Sequence, residues 1–296
     1  MRATNSRTVW VSDWRSWPQA DLERQYDARA TVSDIAAELK AYRDASTPMY
    51  ALKPCWRDVA YGSGPDETLD LFPVAGQPDA PLLVFIHGGY WRALHSQDSV
   101  FMAQQFTSQG VAVAALNYTL APQATLAHIL GQCQRAVTWL MKDAASHGIA
   151  PQRTVVAGSS AGAHLAALLL APAWQAKSQL PLQSLSGGVL LSGLYDLEPV
   201  QRCLPNTWLH LSVAEAKALS PMHQLPDPEL PLYVAVAERD TDEFKRQSRD
   251  FASACSAQGN RVTWHEATQR NHFNIVLDWM DVHSHLYQST MALLRD

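Results

Sequence analysis

Short apolar runs alternate with longer amphipathic stretches along most of this chain, and this alternation constrains the fold more than any other feature. LLVFIHGG at 82–89 is apolar over most of its length, as expected of a strand buried on both faces of a sheet. Further strand-like runs follow at 111–118, 154–159, 186–193, 232–238 and 261–267. Helical stretches lie at 97–108, 124–147, 161–171, 242–257 and 272–293. This alternation favours right-handed crossovers and a mostly parallel sheet with helices on both faces.

The sequence predicts one large α/β domain with two additions. WRDVAYG at 56–62 and LDLFPVA at 69–75, joined by a turn rich in Gly, Pro and Asp, predict an antiparallel hairpin that brings the sheet to eight strands. Residues 18–48 are polar with a helical pattern around Val32–Tyr42. We therefore expect residues 1–50 to form a helical N-terminal extension to the domain at 51–296, which either wraps the core or overhangs a site. The segment at about 194–230 interrupts the alternation and predicts a small helical cap over the C-terminal edge of the sheet, where ligands bind in such folds.

Composition and charge argue against several classes of protein. The formal net charge is −5 with acids and bases interspersed, whereas nucleic-acid binding needs a concentrated basic face. No apolar run reaches the ~18 residues of a membrane span, and the N-terminus has no apolar targeting segment. We therefore expect no nucleic acid and no membrane as partners, and a cytoplasmic location. The sequence leaves the oligomeric state open, a homodimer included.

The cysteines and histidines do not predict a metal centre. Cys55, Cys133, Cys203 and Cys255 lie far apart with no CxxC pair, as is typical of buried thiols in a reducing compartment, although a disulfide stays open. No cluster of His, Cys and Asp has metal-ligand spacing. We therefore expect neither a metal nor a cofactor.

The sharpest corner in the sequence is GSSAG at 158–162, between an apolar run and an Ala/Leu helix pattern. It fits G-x-S-x-G with Ser160 central. In that motif the nucleophile sits on a strained turn, and small flanking residues let the strand and helix backbones pass closely. The N–H groups that open the helix carry partial positive charge toward the reacting centre. A plain tight turn without catalysis is the alternative. Ser159 is the weaker candidate nucleophile, because the residues two before and two after it are Ala157 and Ala161 instead of glycines.

A glycine-rich turn, HGGYW at 87–91, follows the apolar run LLVFI and is similar to the HGGG type of oxyanion hole. Gly88 and Gly89 let the backbone direct its amides toward a substrate oxygen without a side chain in the way. The N–H of Ala161, next after Ser160, is the expected partner donor. A merely flexible turn is the alternative to this reading.

A serine nucleophile also needs a base and an acid that orients the base. Asp240 lies three residues past the apolar run LYVAVA and is the expected acid, with Asp196 as the rival position. His272 follows the last strand-like run, where the base belongs in the order Ser–Asp–His. His87 is expected to brace its loop, and His164 to pack under the corner. Ser160, Asp240 and His272 together predict a serine hydrolase of the α/β-hydrolase fold.

Several longer motifs add to this pattern. They are LERQYDARA (22–30), DVAYG followed by LDLFP, HGGYW (87–91), NYTLAP (117–122), GSSAG (158–162), SGLYDLEPV (192–200), ERDTDEFKRQS (238–248) and RNHFNIV (270–276). In these motifs the chain resembles the kynurenine formamidase (arylformamidase) branch of the α/β-hydrolases, related to hormone-sensitive-lipase-type esterases. The resemblance spans most of the chain and implies the same triad, with an oxyanion hole around Gly88 and Gly89. ERD departs from the family, which often has glycine at that strand end.

The resemblance implies a reaction from tryptophan catabolism, the hydrolysis of N-formyl-L-kynurenine to L-kynurenine and formate. A carboxylesterase or amidase acting on other small, perhaps aromatic, esters or amides stays open, because pocket shape decides the substrate on a shared fold. A non-catalytic binding module would lack a triad member, and none is missing. In either enzyme the partner is a small-molecule ester or amide.

A flat aromatic leaving group would need aromatic side chains to stack on. The candidates are Tyr90, Trp91, Tyr195, Trp208 and Phe273, and ordinary packing is the alternative for each. A substrate carboxylate would need an arginine, for which Arg92 and Arg239 are the candidates.

Overall fold

The computed structural model describes residues 14–151, 153–178, 180 and 184–295. Of the extension predicted over 1–50, residues 1–13 lie outside the described residues. Eight strands of the described residues form one sheet. They are β1 (Trp56–Ala60), β2 (Thr68–Phe72), β3 (Leu82–Ile86), β4 (Ala112–Leu116), β5 (Thr154–Ser159), β6 (Gly187–Leu191), β7 (Leu232–Ala237) and β8 (Val262–Ala267).

The sheet is mostly parallel, with the order β1-β2-β4-β3-β5-β6-β7-β8. β2 pairs antiparallel with both β1 and β4, as the predicted hairpin requires. All other neighbours are parallel. The carboxyl ends of β3, β5, β6, β7 and β8 therefore meet at one edge of the sheet, and the loops that leave this edge hold the candidate site.

Helices cover both faces of the sheet. The α-helices are Gln19–Gln25, Ile35–Ser46, Ala103–Thr107, Leu126–Lys142, Ala161–Leu169, Pro172–Lys177, Glu198–Gln201, Asn206–Leu209, Val213–Ala218, Asp242–Gln258 and His285–Arg295. Short 3-10 helices lie at Trp14–Ser16, Ala28–Thr31, Thr47–Ala51, Ser96–Asp98, Ala144–His147, Pro221–His223 and Asn274–Met280. Along β3, Val84 belongs to one apolar cluster and Leu83 and Phe85 to the other, because successive side chains of a strand point to opposite faces.

The last helical stretch differs from its predicted span of 272–293. The structure has a 3-10 helix at Asn274–Met280, a turn, and then an α-helix at His285–Arg295. Asp281 Oδ1 accepts from His283 N at 2.9 Å, and Ser284 Oγ donates to Asp278 O at 2.6 Å. These polar side chains bond to the local backbone and so compete with a continuous helix.

The N-terminal segment packs over the edge of the sheet that carries the site. Tyr26 OH donates to Glu243 Oε2 at 2.9 Å, and Thr241 Oγ1 donates to Gln25 O at 2.6 Å. Tyr42 OH donates to Phe273 O at 2.5 Å. The division of the chain at residue 50 and the cap boundaries at 194 and 230 stay predictions, and the short helices between 198 and 223 lie within the latter span. Within the described residues, we find no helix with the length and apolar character that crossing a bilayer requires.

Candidate active site

Ser160 occupies a strained corner between β5 and the helix Ala161–Leu169. Its backbone has φ 57° and ψ −120°, a combination that costs free energy for any residue with a side chain. A Cβ atom at Gly158 would lie 2.3 Å from the Gly162 carbonyl carbon, and one at Gly162 would lie 2.0 Å from Ile86 O. Both glycines of the motif are therefore required by the packing of strand against helix. The structure places Ser160, and not Ser159, at this corner.

The loop after β3 lies directly against the corner. A Cβ atom at Gly88 would be 2.8 Å from Ser159 O and 3.3 Å from Ser160 Cβ. Gly89 has φ +90°, and the two following residues, Tyr90 and Trp91, also have positive φ. Consecutive positive φ values are unfavourable for bulky side chains, so the surrounding contacts must hold this turn in a defined shape. The predicted donors of Gly88, Gly89 and Ala161 thus belong to segments that meet at Ser160.

His87 braces this loop from below. Its ring stacks on Tyr118 with centroids 4.3 Å apart, and its Nδ1 lies 3.0 Å from Gly88 O. Tyr118 OH donates to His87 O at 3.0 Å. Burial lowers the pKa of His87 to about 4, so its imidazole is neutral near pH 7.

His164 packs beneath the corner. Its Nε2 lies 2.8 Å from Leu219 O, and its ring meets Trp91 edge-on at 5.0 Å. Burial also lowers the pKa of His164 to about 4. His164 stands one helical turn after Ser160, which places it under the corner as predicted. Its contacts are those of a packing residue.

The structure brings Asp240 and His272 together from the loops after β7 and β8. His272 Nδ1 lies 2.6 Å from Asp240 Oδ1, and both side chains are almost fully buried. Asp240 Oδ2 accepts from Ser192 Oγ at 2.6 Å and from Ala237 N at 3.0 Å. These donors satisfy a carboxylate that burial would otherwise destabilise, and they fix its orientation toward His272.

Asp196, the rival position for the acid, lies elsewhere. Its Oδ1 accepts from Glu198 N at 3.0 Å, at the start of the helix Glu198–Gln201. Burial raises the pKa of this carboxyl.

The sequence did not single out Ser192. This residue stands directly after β6 beside the end of β7, where its hydroxyl can reach the loop that holds Asp240.

Ser160 and His272 line the same cleft, which encloses about 720 Å³, part of it open to solvent. Gly88, Gly89 and Tyr90 form another part of its wall. Ser160 Oγ and His272 Nε2 form no hydrogen bond with each other in this structure. In enzymes without bound substrate such hydrogen bonds are often long.

One wall of the cleft comes from the N-terminal segment. Its contributing residues are Ala28, Arg29, Ile35, Leu39 and Tyr42. Ile35, Leu39 and Tyr42 recur at the spacing of one helix face, a signal that could have indicated this wall from the sequence. The segment therefore helps to enclose the candidate site, a question that the sequence left open.

The five predicted aromatic residues do not all reach the cleft. Tyr90 and Phe273 line it, and Trp208 lies in an adjoining cavity. Trp91 is fully buried. Tyr195 stacks on Phe251 in the core, with centroids 4.1 Å apart. We therefore correct the prediction for these last two side chains, which do not line the cleft.

Tyr195 turns inward because of a neighbouring glycine. A Cβ atom at Gly193 would be only 2.4 Å from the Tyr195 ring, so the ring fills the space that this glycine leaves. Trp91 points inward as well, since its ring packs on His164 beneath the corner.

A second cavity adjoins the cleft and encloses about 780 Å³, part of it open to solvent, and Arg29 and Tyr90 line both. Its remaining lining residues are Glu23, Arg24, Tyr26, Asp27, Arg92, Leu204, Pro205 and Trp208. Arg92 stacks its guanidinium 4.2 Å from the centre of the Trp208 ring. Of the two arginines predicted to bind a carboxylate, Arg92 therefore lines a cavity, and Arg239 lines neither.

The described residues contain no group of three or more His, Cys, Asp or Glu side chains placed to hold a metal ion. All four cysteines are free thiols.

Comparisons with known proteins relate this chain to hydrolases in both sequence and structure. The family model described as BD-FAE matches residues 69–180. A kynurenine formamidase from Salmo salar is 32% identical to this chain, over 96% of the chain and 99% of the relative. The crystal structure of a putative thioesterase from Silicibacter sp. has a TM-score of 0.79 and 28% identity, over 93% of this chain and 99% of that one. A thermostable carboxylesterase cloned from a metagenomic library has a TM-score of 0.68 and 16% identity, over 95% and 99%. The predicted α/β-hydrolase fold is confirmed by these structural likenesses.

Proposed function

Since the chain is a hydrolase and belongs to the kynurenine formamidase family of α/β-hydrolases, we propose that it hydrolyses the formamide bond of N-formyl-L-kynurenine. In this proposal Ser160 is the nucleophile, His272 the base and Asp240 the acid. The observation that carries it is the buried 2.6 Å contact between His272 Nδ1 and Asp240 Oδ1, in a cleft that Ser160 also lines. These are the parts that acyl transfer from an activated serine requires.

Attack on the substrate follows from this arrangement. The Asp240 carboxylate keeps the His272 proton on Nδ1, so that Nε2 accepts the proton of the Ser160 hydroxyl. Ser160 Oγ then adds to the formyl carbon, and the carbonyl oxygen becomes an oxyanion. The N–H groups of Ala161 and of the Gly88–Gly89 turn stabilise this charge, because they are held in place before the reaction begins.

Breakdown of the intermediate uses the same histidine as an acid. His272 Nε2–H gives its proton to the aniline nitrogen, the C–N bond breaks, and L-kynurenine leaves while the formyl group stays on Ser160. A water molecule then attacks the formyl carbon as His272 takes its proton. Formate leaves, and Ser160 regains its hydrogen from His272.

The cleft suits an aromatic leaving group. Tyr42, Tyr90, Phe273 and Leu39 are among its walls, and a flat ring buries apolar area against such side chains. The same apolar lining also favours a second candidate, a carboxylesterase or amidase for other small, aromatic substrates, because nothing in the walls requires a formyl group.

Steady-state kinetics separates the two candidates. We expect N-formyl-L-kynurenine to turn over with kcat/KM on the order of 10⁴ M⁻¹s⁻¹ or more, and Ser160→Ala to be inactive. A short-chain p-nitrophenyl ester serves as the parallel substrate. Cleavage of the ester alone would favour the carboxylesterase, and equal activity of Ser160→Ala and the native protein would overturn the triad.

A further inference from the structure

Arg29 stands at the boundary between the catalytic cleft and the second cavity, since it lines both. Its side chain is exposed, and its guanidinium makes no hydrogen bond or ion pair with any described residue. Most arginines nearby are engaged: Arg24 pairs with Asp21, Arg246 with Glu243 and Asp250, and Arg270 with Asp278. A guanidinium left unpaired beside a candidate active site is available to bind a carboxylate of the substrate.

An acidic oxygen stands next to this arginine. Asp27 lines the second cavity, and its Oδ1 accepts the backbone N–H of Arg29 at 3.1 Å. Its Oδ2 accepts no hydrogen bond from the described residues. The neighbouring Glu23 is already occupied, since Gln19 Nε2 donates to its Oε1 and Leu204 N donates to its Oε2. The Arg29 guanidinium and Asp27 Oδ2 therefore lie two residues apart at the same boundary, and both are free to bind groups of opposite charge.

Fixed contacts hold the wall between the two cavities in place. Tyr90 OH donates to Tyr26 O at 2.5 Å, and Trp208 Nε1 donates to Tyr90 O at 3.1 Å. Arg92 is held against the Trp208 ring and lines only the second cavity. Arg29 is thus the arginine that borders the cleft containing Ser160.

We propose that Arg29 and Asp27 bind the charged end of the substrate, with the Arg29 guanidinium on an α-carboxylate and Asp27 Oδ2 on an α-ammonium group. The enzyme would then select zwitterionic α-amino acids whose side chain carries an aryl formamide. This inference rests on the proposed function. The aromatic ring enters the apolar cleft, while the charged groups stay at its exposed mouth, where they keep most of their hydration.

Two substrates with the same scissile bond test this directly. N-Formyl-L-kynurenine carries the charged end, whereas formanilide carries none. We expect Arg29→Met to lower kcat/KM for N-formyl-L-kynurenine by about 10- to 100-fold, mainly through KM, since a charge-assisted contact is lost. The value for formanilide should stay within about twofold of the native one, because methionine keeps most of the side-chain packing.

Further variants separate charge from packing. Arg29→Lys should recover part of the loss, and Asp27→Asn, which keeps an acceptor for the Arg29 N–H, should weaken only the charged substrate. Arg43→Met is the matched control, because Arg43 is an exposed arginine of the same segment that lines neither cavity. The inhibition constant of L-kynurenine should rise in Arg29→Met, which measures binding without the chemical step.

The failing outcomes are distinct. Equal losses for both substrates in Arg29→Met would give Arg29 a structural role and overturn the inference, as would no loss for either. A native enzyme that cleaves formanilide but shows no preference for N-formyl-L-kynurenine would overturn the inference and leave formamide hydrolysis intact. A native enzyme that cleaves neither would overturn the proposed function itself.

Discussion

At the scale of single residues, the candidate site depends on one buried contact and the donors that hold it. Asp240 receives hydrogen bonds from Ser192 Oγ and Ala237 N and directs its other oxygen at His272 Nδ1. The order of Ser160, Asp240 and His272 along the chain could be predicted, because each follows a recognisable apolar run. The position of Ser192 could not, since pairing between β6 and β7 is what brings it to Asp240.

Replacing the carboxylate of Asp240 with an amide should leave the fold intact and remove most activity. We expect Asp240→Asn to lower kcat by about 10³- to 10⁴-fold, because an amide does not keep the His272 proton on Nδ1. Asp196→Asn is the matched control and should stay within about threefold of the native rate. Kinetics on both variants, with circular dichroism to check folding, would contradict this assignment if Asp196→Asn were the inactive one.

Ser192 should act through Asp240. In Ser192→Ala the carboxylate loses its 2.6 Å donor, and we expect kcat to fall about tenfold with KM unchanged, the size of one hydrogen bond to a charged group. Steady-state kinetics at saturating substrate measures this effect. An unchanged kcat would show that Ala237 N alone is sufficient to orient Asp240.

At the scale of elements, the strands were predicted more accurately than the helices. Runs buried on both faces, such as β3 and β5, are apolar throughout and easily recognised. The stretch at 272–293 was predicted as one helix, because its apolar pattern does not reveal that Asp281 and Ser284 bond to the local backbone. A helical pattern around Val32–Tyr42 was predicted, but the position of helix Ile35–Ser46 over the cleft depends on tertiary contacts such as Tyr42 with Phe273.

Two glycine substitutions should have opposite effects on stability, because the helix Ala161–Leu169 passes close to β3 at one glycine, whereas the other glycine has room around it for a Cβ atom. Gly162→Ala should destabilise strongly, because its Cβ atom would lie 2.0 Å from Ile86 O. Gly131→Ala, within helix Leu126–Lys142, meets only the Arg135 side chain at 3.5 Å and should stabilise by up to about 1 kcal/mol. Urea unfolding of both variants tests this, and similar effects in the two would contradict the packing argument.

At the scale of the whole molecule, one sheet edge collects the loops after β3, β5, β7 and β8, and the N-terminal segment covers that edge. The parallel sheet could be predicted from strand–helix alternation, since parallel strands need such crossovers. The two adjoining cavities could not, because their walls join residues far apart in the sequence, such as Arg29, Tyr90 and Trp208.

Two buried histidines should make the stability of the molecule depend on pH. The pKa values of His87 and His164 are lowered to about 4, whereas an unfolded chain binds these protons near pH 6.5. Between these values the unfolded state binds more protons, so stability falls as the pH falls, by up to about 1.4 kcal/mol per pH unit for each histidine. Urea unfolding at pH 7, 6 and 5 measures this. A free energy of unfolding that does not decrease from pH 7 to pH 5 would contradict it.

The central claim is that Ser160 is a nucleophile activated by His272. Reaction with a fluorophosphonate, followed by peptide mass spectrometry, tests it most directly, because the reagent forms a stable adduct only on an activated serine. We predict a single adduct on Ser160, and at least a hundredfold slower labelling in His272→Ala. An adduct on Ser159, or equal labelling rates with and without His272, would contradict the account.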